Sequence, residues 1–512
     1  MILPIRSSGM ESSAMTGRKP LLKNIHFIAF VAFLIRAVAS LAFDFIHHPD
    51  EIFQYLEQAH RLAFGYGIVP WEYRHGIRSW ALPSFLSTLL QTFRALGLDS
   101  PRIYVPAIRI FFSALSVSLV YSSFVIVRKF ASDRAALVAA WLACFWYELV
   151  YFAGRSTPET LAAYCLVAAL ALAVSRPSRF PAAAIGFLCA FSVALRLQYL
   201  PLGLIVLLFG LFQMDRPKRI ILMVVFLMGI GLAGYLDYVT WGGFWASYYL
   251  SYRYNVVYRI SWYFGMHPRF FFLTMLRSSS GGLFWVVLPP SLLPSLCKKT
   301  WLLLLCGLAV IIPHSMAMHK EFRFIFAAIP FFCMLTAVVL TDGLAGIGER
   351  SHFGRNVTAY ALGALLLISA SGMLLKLPDE KEVYRPLTAR DEILPAYIFL
   401  HDEPGLTAVY NAYRSWQWTG GYYYLHRNVP IYYPENLASA SSDEYRTIVS
   451  HIICSRDFPP VPGFILVYRS GDLEIRRVAT AHRAYRSLNL DTQNIIMKGL
   501  DGRWKPLVSP LI

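Results

Sequence analysis

Phe27-Ile28-Ala29-Phe30-Val31-Ala32-Phe33-Leu34-Ile35, followed shortly by His47-His48-Pro49-Asp50-Glu51, decides how this chain is read. The first stretch has the apolar density of a membrane-spanning helix. The second places ionisable groups at its exit, where they are costly unless they serve a site. The polar stretch continues to Trp71-Glu72-Tyr73-Arg74-His75-Gly76-Ile77-Arg78-Ser79-Trp80. Hydrophobic residues make up 56% of the 512 positions and charged residues 15%. A water-soluble core cannot hide so many apolar runs, so composition predicts a polytopic α-helical membrane protein. The formal charge of +17 belongs with cytoplasmic loops and lipid headgroups rather than with nucleic acid. Five of the seven cysteines (Cys144, Cys165, Cys189, Cys306, Cys333) lie in apolar runs, with no CxxC pair and no Cys/His metal spacing. This argues against structural zinc and a disulfide framework. The polar first twenty residues lack a cleavage site after an apolar core, so 24–43 is expected to be a retained first span.

Apolar runs predict eleven spans, near 24–43, 104–127, 135–152, 158–175, 180–196, 199–213, 219–239, 272–293, 300–317, 322–341 and 355–376. Alternate connections are basic: Arg18-Lys19 with Lys23, Arg128-Lys129 with Arg134, Arg176 with Arg179, Arg216 with Lys218-Arg219, Lys298-Lys299, and Arg350 with Arg355. The positive-inside rule places these in the cytoplasm. The other connections then share the lumenal or periplasmic face. They hold His47 to Trp80, Gly154 to Glu159, Arg196 to Tyr199, Trp241 to Arg269, and His319-Lys320-Glu321-Phe322-Arg323. An odd number of spans sends 377–512 to that same face. Its short runs, such as Phe464-Ile465-Leu466-Val467-Tyr468, suit strands, so a small α+β domain is expected there. Residues 1–376 form the membrane domain, with 44–83 as its first external loop.

Within that loop, residues 50–63 have helical apolar spacing, which predicts an amphipathic helix lying on the membrane interface. Asp50 and Glu51 stand at its start, where the helix dipole favours an ionised carboxylate suited to general-base work. Asp50 as a simple helix cap is the plainer alternative. At the other pole, His319, Lys320 and Arg323 could surround a phosphate diester with charge-assisted bonds, or merely snorkel to the interface. Arg155 and Arg196 border spans on the external face, where the positive-inside rule gives no reason for a cation. Other patterns carry less. Gly229-Ile230-Gly231-Leu232-Ala233-Gly234 lies inside an apolar span with no preceding strand, so it reads as helix packing rather than dinucleotide binding. No Asp-x-Asp triplet supports a nucleotide-sugar metal site. Asn356-Val357-Thr358 falls at a cytoplasmic edge and is expected unmodified. The aromatics from Trp241 to Tyr263 read mainly as interfacial anchors.

His48 through Ser84, Trp262-Tyr263-Phe264-Gly265-Met266-His267-Pro268 and His319-Lys320-Glu321-Phe322-Arg323-Phe324 resemble glycosyltransferase family 22, the multi-span mannosyltransferases, and most of all its branch acting on glycosylphosphatidylinositol anchors. The resemblance implies a GT-C fold and a polyprenyl (dolichyl) phosphate mannose donor. It also implies a lipid-linked glycan acceptor, no cofactor or metal, and an endoplasmic reticulum membrane location. A bacterial homologue would instead sit in the inner membrane. By the same resemblance, Asp50 takes the role of catalytic acid residue beside Glu51. His319, Lys320 and Arg323 hold the donor phosphate, and His48, Arg155, Arg196 and His267 contact substrate. The chain departs from the family's pattern in the Gly154 to Glu159 loop. The implied reaction is inversion: Asp50 accepts the proton of an acceptor hydroxyl that attacks the anomeric carbon, and the lipid phosphate leaves. The alternatives are a bacterial polyprenyl-phosphate-sugar transferase of an envelope glycan and a transporter, although the polar groups lie at one face and no internal repeat is visible.

Overall fold

The computed structural model describes residues 23–42, 44–175, 178–280, 282–343, 363, 391–434 and 449–479. Five helices have the length and apolarity to cross a membrane: Ile25–Ala42, Pro101–Phe130, Arg216–Trp241, Pro294–Met316 and Phe322–Gly343. Shorter apolar helices, Pro158–Val174 and Arg179–Leu195, and the run Leu197–Gln213 stand beside them. Ten of the eleven expected spans therefore coincide with described helical segments; of 355–376 only residue 363 is described, and the 376/377 boundary lies outside the described residues.

Three spans depart from simple rods. The segment expected at 135–152 stops at Phe145, and Trp146 turns it into the short helix Tyr147–Tyr151. Phe271–Ser279 and Leu283–Ser291 meet at 109°. Phe322–Ala328 opens the last described span as a 3₁₀ turn. Ser278-Ser279-Ser280 and Gly282 at the second break, and Pro330 just after the third, let the i→i+4 ladder break there.

Burial separates lipid-facing from core helices. In Ile25–Ala42, Phe30, Leu34, Val38 and Leu41 are exposed while Ile28, Ala32, Arg36 and Ala39 are buried, which gives one apolar stripe to lipid and one face to protein. Pro158–Val174 is apolar on every side and buried on nearly every side, as expected for a central helix. The glycine motif does pack helices. A Cβ on Gly229 would stand 2.6 Å from the Ala190 Cβ, and one on Gly186 would stand 2.4 Å from the Leu222 carbonyl. Small residues thus bring Arg179–Leu195 and Arg216–Trp241 into backbone contact.

Arg36 is fully buried in the first span. It donates to the Ser116 carbonyl (2.7 Å) and to the Ala143 carbonyl (2.6 Å). Both acceptors lie near helix breaks, at Val117 and Trp146, so the guanidinium satisfies backbone groups that lipid could not.

Two polar faces emerge from contacts alone. Ser132 and Lys299, from two of the basic connections, meet on Asp342 at 2.6 and 2.7 Å. The opposite end gathers the first loop, Arg155, Arg196, the 253–269 segment and His319–Arg323. The tail joins this second face. There β1 (Val409–Asn411), β2 (Ile431–Tyr432), β3 (His451–Ser455), β4 (Phe464–Ser470) and β5 (Leu473–Val478) form a mixed sheet ordered β2-β1-β3-β5-β4. The first three are parallel, with Val409 opposite both Ile431 and His451. The hairpin β4-β5 is antiparallel and turns at Gly471, whose φ of +56° suits glycine. Helix Ile393–Asp402 buries Ile393, Leu394, Tyr397 and Leu400 in the core that the tail shares with the membrane domain.

The helix expected to lie on the membrane interface is placed differently. Glu51–Leu56 is a π-helical turn running into Glu57–Phe64, and every residue from Glu51 to His60 is buried. Its polar residues have protein partners in place of headgroups. The Gln58 amide donates to the Phe53 and Ile68 carbonyls at 2.7 and 2.9 Å, and Gln54 Nε2 donates to Glu72 at 2.7 Å.

Arg36→Met should leave the Ser116 and Ala143 carbonyls without donors. A loss of about 2–3 kcal/mol is expected, the scale of stranded buried polar groups, measured by thermal unfolding of purified protein in detergent. An unchanged midpoint would show that the helix breaks need no side-chain donor.

Candidate active site

The two polar poles of the sequence form one centre. Arg323 Nη2 donates to Asp50 Oδ2 at 2.6 Å across 273 residues of sequence. Its Nε donates to Glu321 Oε2 at 2.6 Å and its Nη2 to Glu321 Oε1 at 3.1 Å. One planar guanidinium thus holds two carboxylates, the geometry in which arginine exceeds lysine. The His48 ring stands between the same carboxylates, 3.5 Å from Asp50 Oδ2 and 3.6 Å from Glu321 Oε2. His319 Nε2 lies 3.0 Å from Glu321 Oε1, and its Nδ1 lies 3.1 Å from the Gly265 carbonyl. The Arg323 side chain is 4% exposed while Asp50 retains 24%, so the carboxylate is the group an entering substrate can reach.

Asp50 occupies the N-cap position of the π turn, yet its side chain makes no capping bond. Its carboxylate turns toward Arg323 instead, so the simple cap is not what the structure builds. Burial would raise the Asp50 carboxyl, but His48 and Arg323 beside it hold it well below the usual carboxylate range. Glu321 follows the same pattern: burial raises it, and Arg323 and His48 bring it well below. Burial and Arg323 oppose protonation of His48, and the two carboxylates outweigh them and raise it.

The remaining sequence candidates divide. Glu51 faces another way: Oε1 accepts from the Ser156 N–H at 3.0 Å and Oε2 pairs with Arg155 at 3.3 Å. Arg155 also donates to the Phe45 carbonyl at 2.8 Å and lies over the Phe45 ring at 4.4 Å. Arg196 pairs with buried Glu159 at 3.2 Å and lies over the Phe324 ring at 4.5 Å, next to Arg323 in sequence. Lys320 does not join the convergence on Asp50. It is buried, and its Nζ donates to the carbonyls of His267 (3.0 Å) and Ala317, tying the 265–268 loop to the last span. His267 is held by the same loop, its N–H donating to Met318 and its ring 4.2 Å from Phe271. The aromatic segment is mixed. Tyr249, Tyr252 and Tyr263 are exposed, whereas Tyr254 is buried against Trp71, and Trp241 Nε1 donates to the Arg78 carbonyl at 3.1 Å.

Sequence reasoning left out Glu321 and Arg78. Glu321 is the one acid inside a basic pentapeptide, a local signal for an internal pair. Arg78 satisfies the rule that marked Arg155: it is a cation on the external face. Its Nε is buried without a hydrogen-bond partner among the described residues, and its charge acts on Tyr55, Glu72 and Asp50. His48, Asp50 and Glu321 also bring three ligand atoms within 4.8 Å of one another. Arg323 already bridges the two carboxylates, so a divalent ion there would compete with the guanidinium.

Residues 28–376 match the profile of the Alg9-like mannosyltransferase family, Glyco_transf_22. This chain belongs to that family. Within the Alg9-like proteins it is similar to GPI mannosyltransferase 3 of Drosophila melanogaster, 28% identical over 340 residues, covering 62% of this chain and 56% of that one. It is also 28% identical over 298 residues to GPI alpha-1,2-mannosyltransferase 3 of Danio rerio, covering 56% and 54%. The chain thus spans little more than half the length of these relatives. In structure it resembles ArnT from Cupriavidus metallidurans bound to undecaprenyl phosphate, with a TM-score of 0.56 and 13% identity over 90% of this chain and 99% of that one. At that identity the likeness concerns the fold, which this Alg9-like chain shares with a membrane protein of the GT-C type.

The shifts set a pH window. Asp50 and Glu321 are lowered, so the stability they contribute is complete above their unfolded values near about 4 and is lost as pH falls through the folded values. His48 is raised, so its contribution is complete below about 6.5 and is lost as pH rises through its folded value. Thermal stability should therefore peak between these limits. Arg323→Met should weaken the acid-side loss, and His48→Asn should remove part of the alkaline-side loss, both read from unfolding midpoints across pH. Parallel pH profiles in all three proteins would dissolve the cluster as an electrostatic unit.

Proposed function

We propose that this protein is an inverting mannosyltransferase that moves mannose from a polyprenyl (dolichyl) phosphate to a glycosylphosphatidylinositol precursor, forming an α-1,2 link. The observation that carries this reading is the 2.6 Å contact between Asp50 and Arg323. It puts a proton acceptor and a phosphate-binding cation one hydrogen bond apart. Family membership and similarity to proteins named for GPI α-1,2-mannosyl transfer support the sugar, linkage and acceptor. The fold neighbour bound to undecaprenyl phosphate supports a lipid phosphate as the leaving group. Eleven spans, with the site on the lumenal face of the endoplasmic reticulum, complete the proposal.

An Asp50 oxygen accepts the proton of the acceptor hydroxyl while that oxygen attacks the anomeric carbon. The bond from that carbon to the phosphate oxygen breaks on the opposite side, and the phosphate departs with an additional negative charge. Arg323 stabilises that charge, helped by His319, as preorganised donors in a half-buried site. Before the donor binds, Arg323 is shared by Asp50 and Glu321 and keeps both ionised. A phosphate diester entering the site competes for the guanidinium, and Asp50 becomes a stronger base when a substrate is present to use it. Glu321 holds the guanidinium in place through the exchange, and His48 pairs with the carboxylates the guanidinium releases. Arg78, half-buried, supplies a second cation whose charge acts on Asp50. Glu51, locked to Arg155 and Ser156, shapes the loop and does not meet the hydroxyl.

Asp50→Asn should reduce transfer by roughly 100-fold or more, the scale of general-base assistance, with donor binding retained. Arg323→Met should cost about 2–4 kcal/mol of transition-state stabilisation. Both are measured with purified protein, a short-chain polyprenyl-phosphate-mannose and a mannosylated glycosylphosphatidylinositol precursor. Glu51→Gln dead beside a normal Asp50→Asn would move the base to Glu51. In the same assay, chelation by EDTA should leave turnover unchanged. Turnover lost to EDTA and restored by a divalent ion would assign His48, Asp50 and Glu321 to a metal.

A further inference from the structure

The matched family region ends at 376, yet the segment carrying Asp50 is held from beyond it. Asp391 is 1% exposed. Its Oδ2 accepts from the Ile46 N–H at 2.7 Å and its own N–H donates to the Asp44 carbonyl at 3.0 Å. This two-way pairing clamps 44–46 immediately before His47-His48-Pro49-Asp50. Asp391 Oδ1 takes Arg414 at 2.7 Å, so the clamp is anchored within the tail. Downstream of Asp50 the tail grips the same loop again. Trp416 meets the Phe53 ring edge-on at 4.9 Å. Glu57, fully buried, accepts from the Tyr423 N–H at 2.9 Å and from the Ile68 N–H at 2.7 Å. The fit at this second grip is tight: a Cβ on Gly421, whose φ is +57°, would stand 2.6 Å from Glu57 Oε2.

We propose that the C-terminal domain is a positioning element of the catalytic centre, in which Asp391 and the Trp416–Tyr423 edge fix the first external loop on both sides of Asp50 and so set where its carboxylate meets the acceptor hydroxyl. The proposal rests on the reading of Asp50 as the base. Arg323 holds one oxygen of Asp50, and Glu51 beside it is held by Arg155 and Ser156. The tail adds two anchors from outside the membrane domain, upstream at Ile46 and downstream at Glu57, and so fixes the path of the loop on both sides of Asp50. Asp391, Trp416 and Glu57 act through the loop and touch no reacting atom. The tail is then required for turnover although the family's shared region does not contain it.

The test uses full-length protein in lipid nanodiscs, with Asp391→Asn as the main variant and Trp416→Leu as the second. An asparagine has one acceptor oxygen and cannot serve both Ile46 and Arg414. With short-chain polyprenyl-phosphate-mannose and the mannosylated precursor, Asp391→Asn should lower kcat by about 10- to 100-fold, the penalty of a small misplacement. The donor KM should stay within about twofold. Amide exchange over 44–50 should quicken while that of Ile25–Ala42 stays as in wild type, and the acid limb of kcat/KM should move as Asp50 shifts against Arg323. Trp416→Leu should show the same pattern more weakly. Normal kcat with quickened exchange would overturn the proposal, because the clamp would then hold the loop without setting its chemistry. Activity lost only in proportion to folded protein, with the acid limb unmoved, would also overturn it and leave Asp391 a folding residue. Asp50→Asn measured alongside separates the premise. A dead Asp50→Asn with a normal Asp391→Asn rejects the positioning role alone, whereas a normal Asp50→Asn removes the base and the proposal with it.

Discussion

A single guanidinium organises the polar face that carries the site. Two carboxylates as close as Asp50 and Glu321 would repel one another in a half-buried setting, and desolvation would drive at least one of them neutral. The Arg323 fork holds both, and that makes the rest possible. The first external loop must come down onto the start of the last described span, and the His319–Glu321 turn must face it. The centre thereby joins residues that lie hundreds of positions apart. Breaking such a pair by removing one partner strands a charge, so its value lies less in net stability than in selecting one arrangement.

The same solution recurs around the centre. Arg155 answers Glu51, Arg196 answers Glu159 and Arg109 answers Asp44. Each pair joins a loop to an element distant in sequence, so the face is a network of charge pairs and not a surface of solvated groups. Lys320 follows a different logic. Its compact ammonium collects carbonyls and stitches the 265–268 loop to the last span, while Arg323 takes the carboxylates. The difference follows from the two cations themselves, one a point charge and one a planar fork.

The frame beneath has its own requirements. Helices that break inside a bilayer must find donors for the carbonyls they release. Arg36 supplies them at two breaks, and glycines at 186 and 229 allow two helices to touch along their backbones. This apolar frame presents the polar face rigidly. The tail closes over that face through Asp391 and Tyr423, so the loop bearing Asp50 is held by a span on one side and on the other by Asp391 and the tail helix Gly421–Leu425.

What the amino-acid order determined by itself was the class of protein and the ingredients of the site. Apolar runs of bilayer length have few other fates, and alternating basic loops sorted the polar clusters onto one face. Charged groups at span ends stood out because lipid makes them costly. Asp50, Arg323, Arg155 and Arg196 were legible for that reason, as was the strand at Phe464–Tyr468 from its short apolar run. Tertiary structure decided the pairings. Asp50 and Arg323 are 273 residues apart, and no local spacing encodes a contact between them. It also decided that residues 51–60 are buried under the tail, because amphipathic periodicity marks a face that must be covered without saying whether lipid or protein covers it. The pairing of Glu321 with His48 and the role of Asp391 were likewise invisible in the sequence. An acid among bases and an acid in a polar tail look like ordinary surface residues until the fold removes the water around them and leaves one guanidinium or one backbone N–H to take its place.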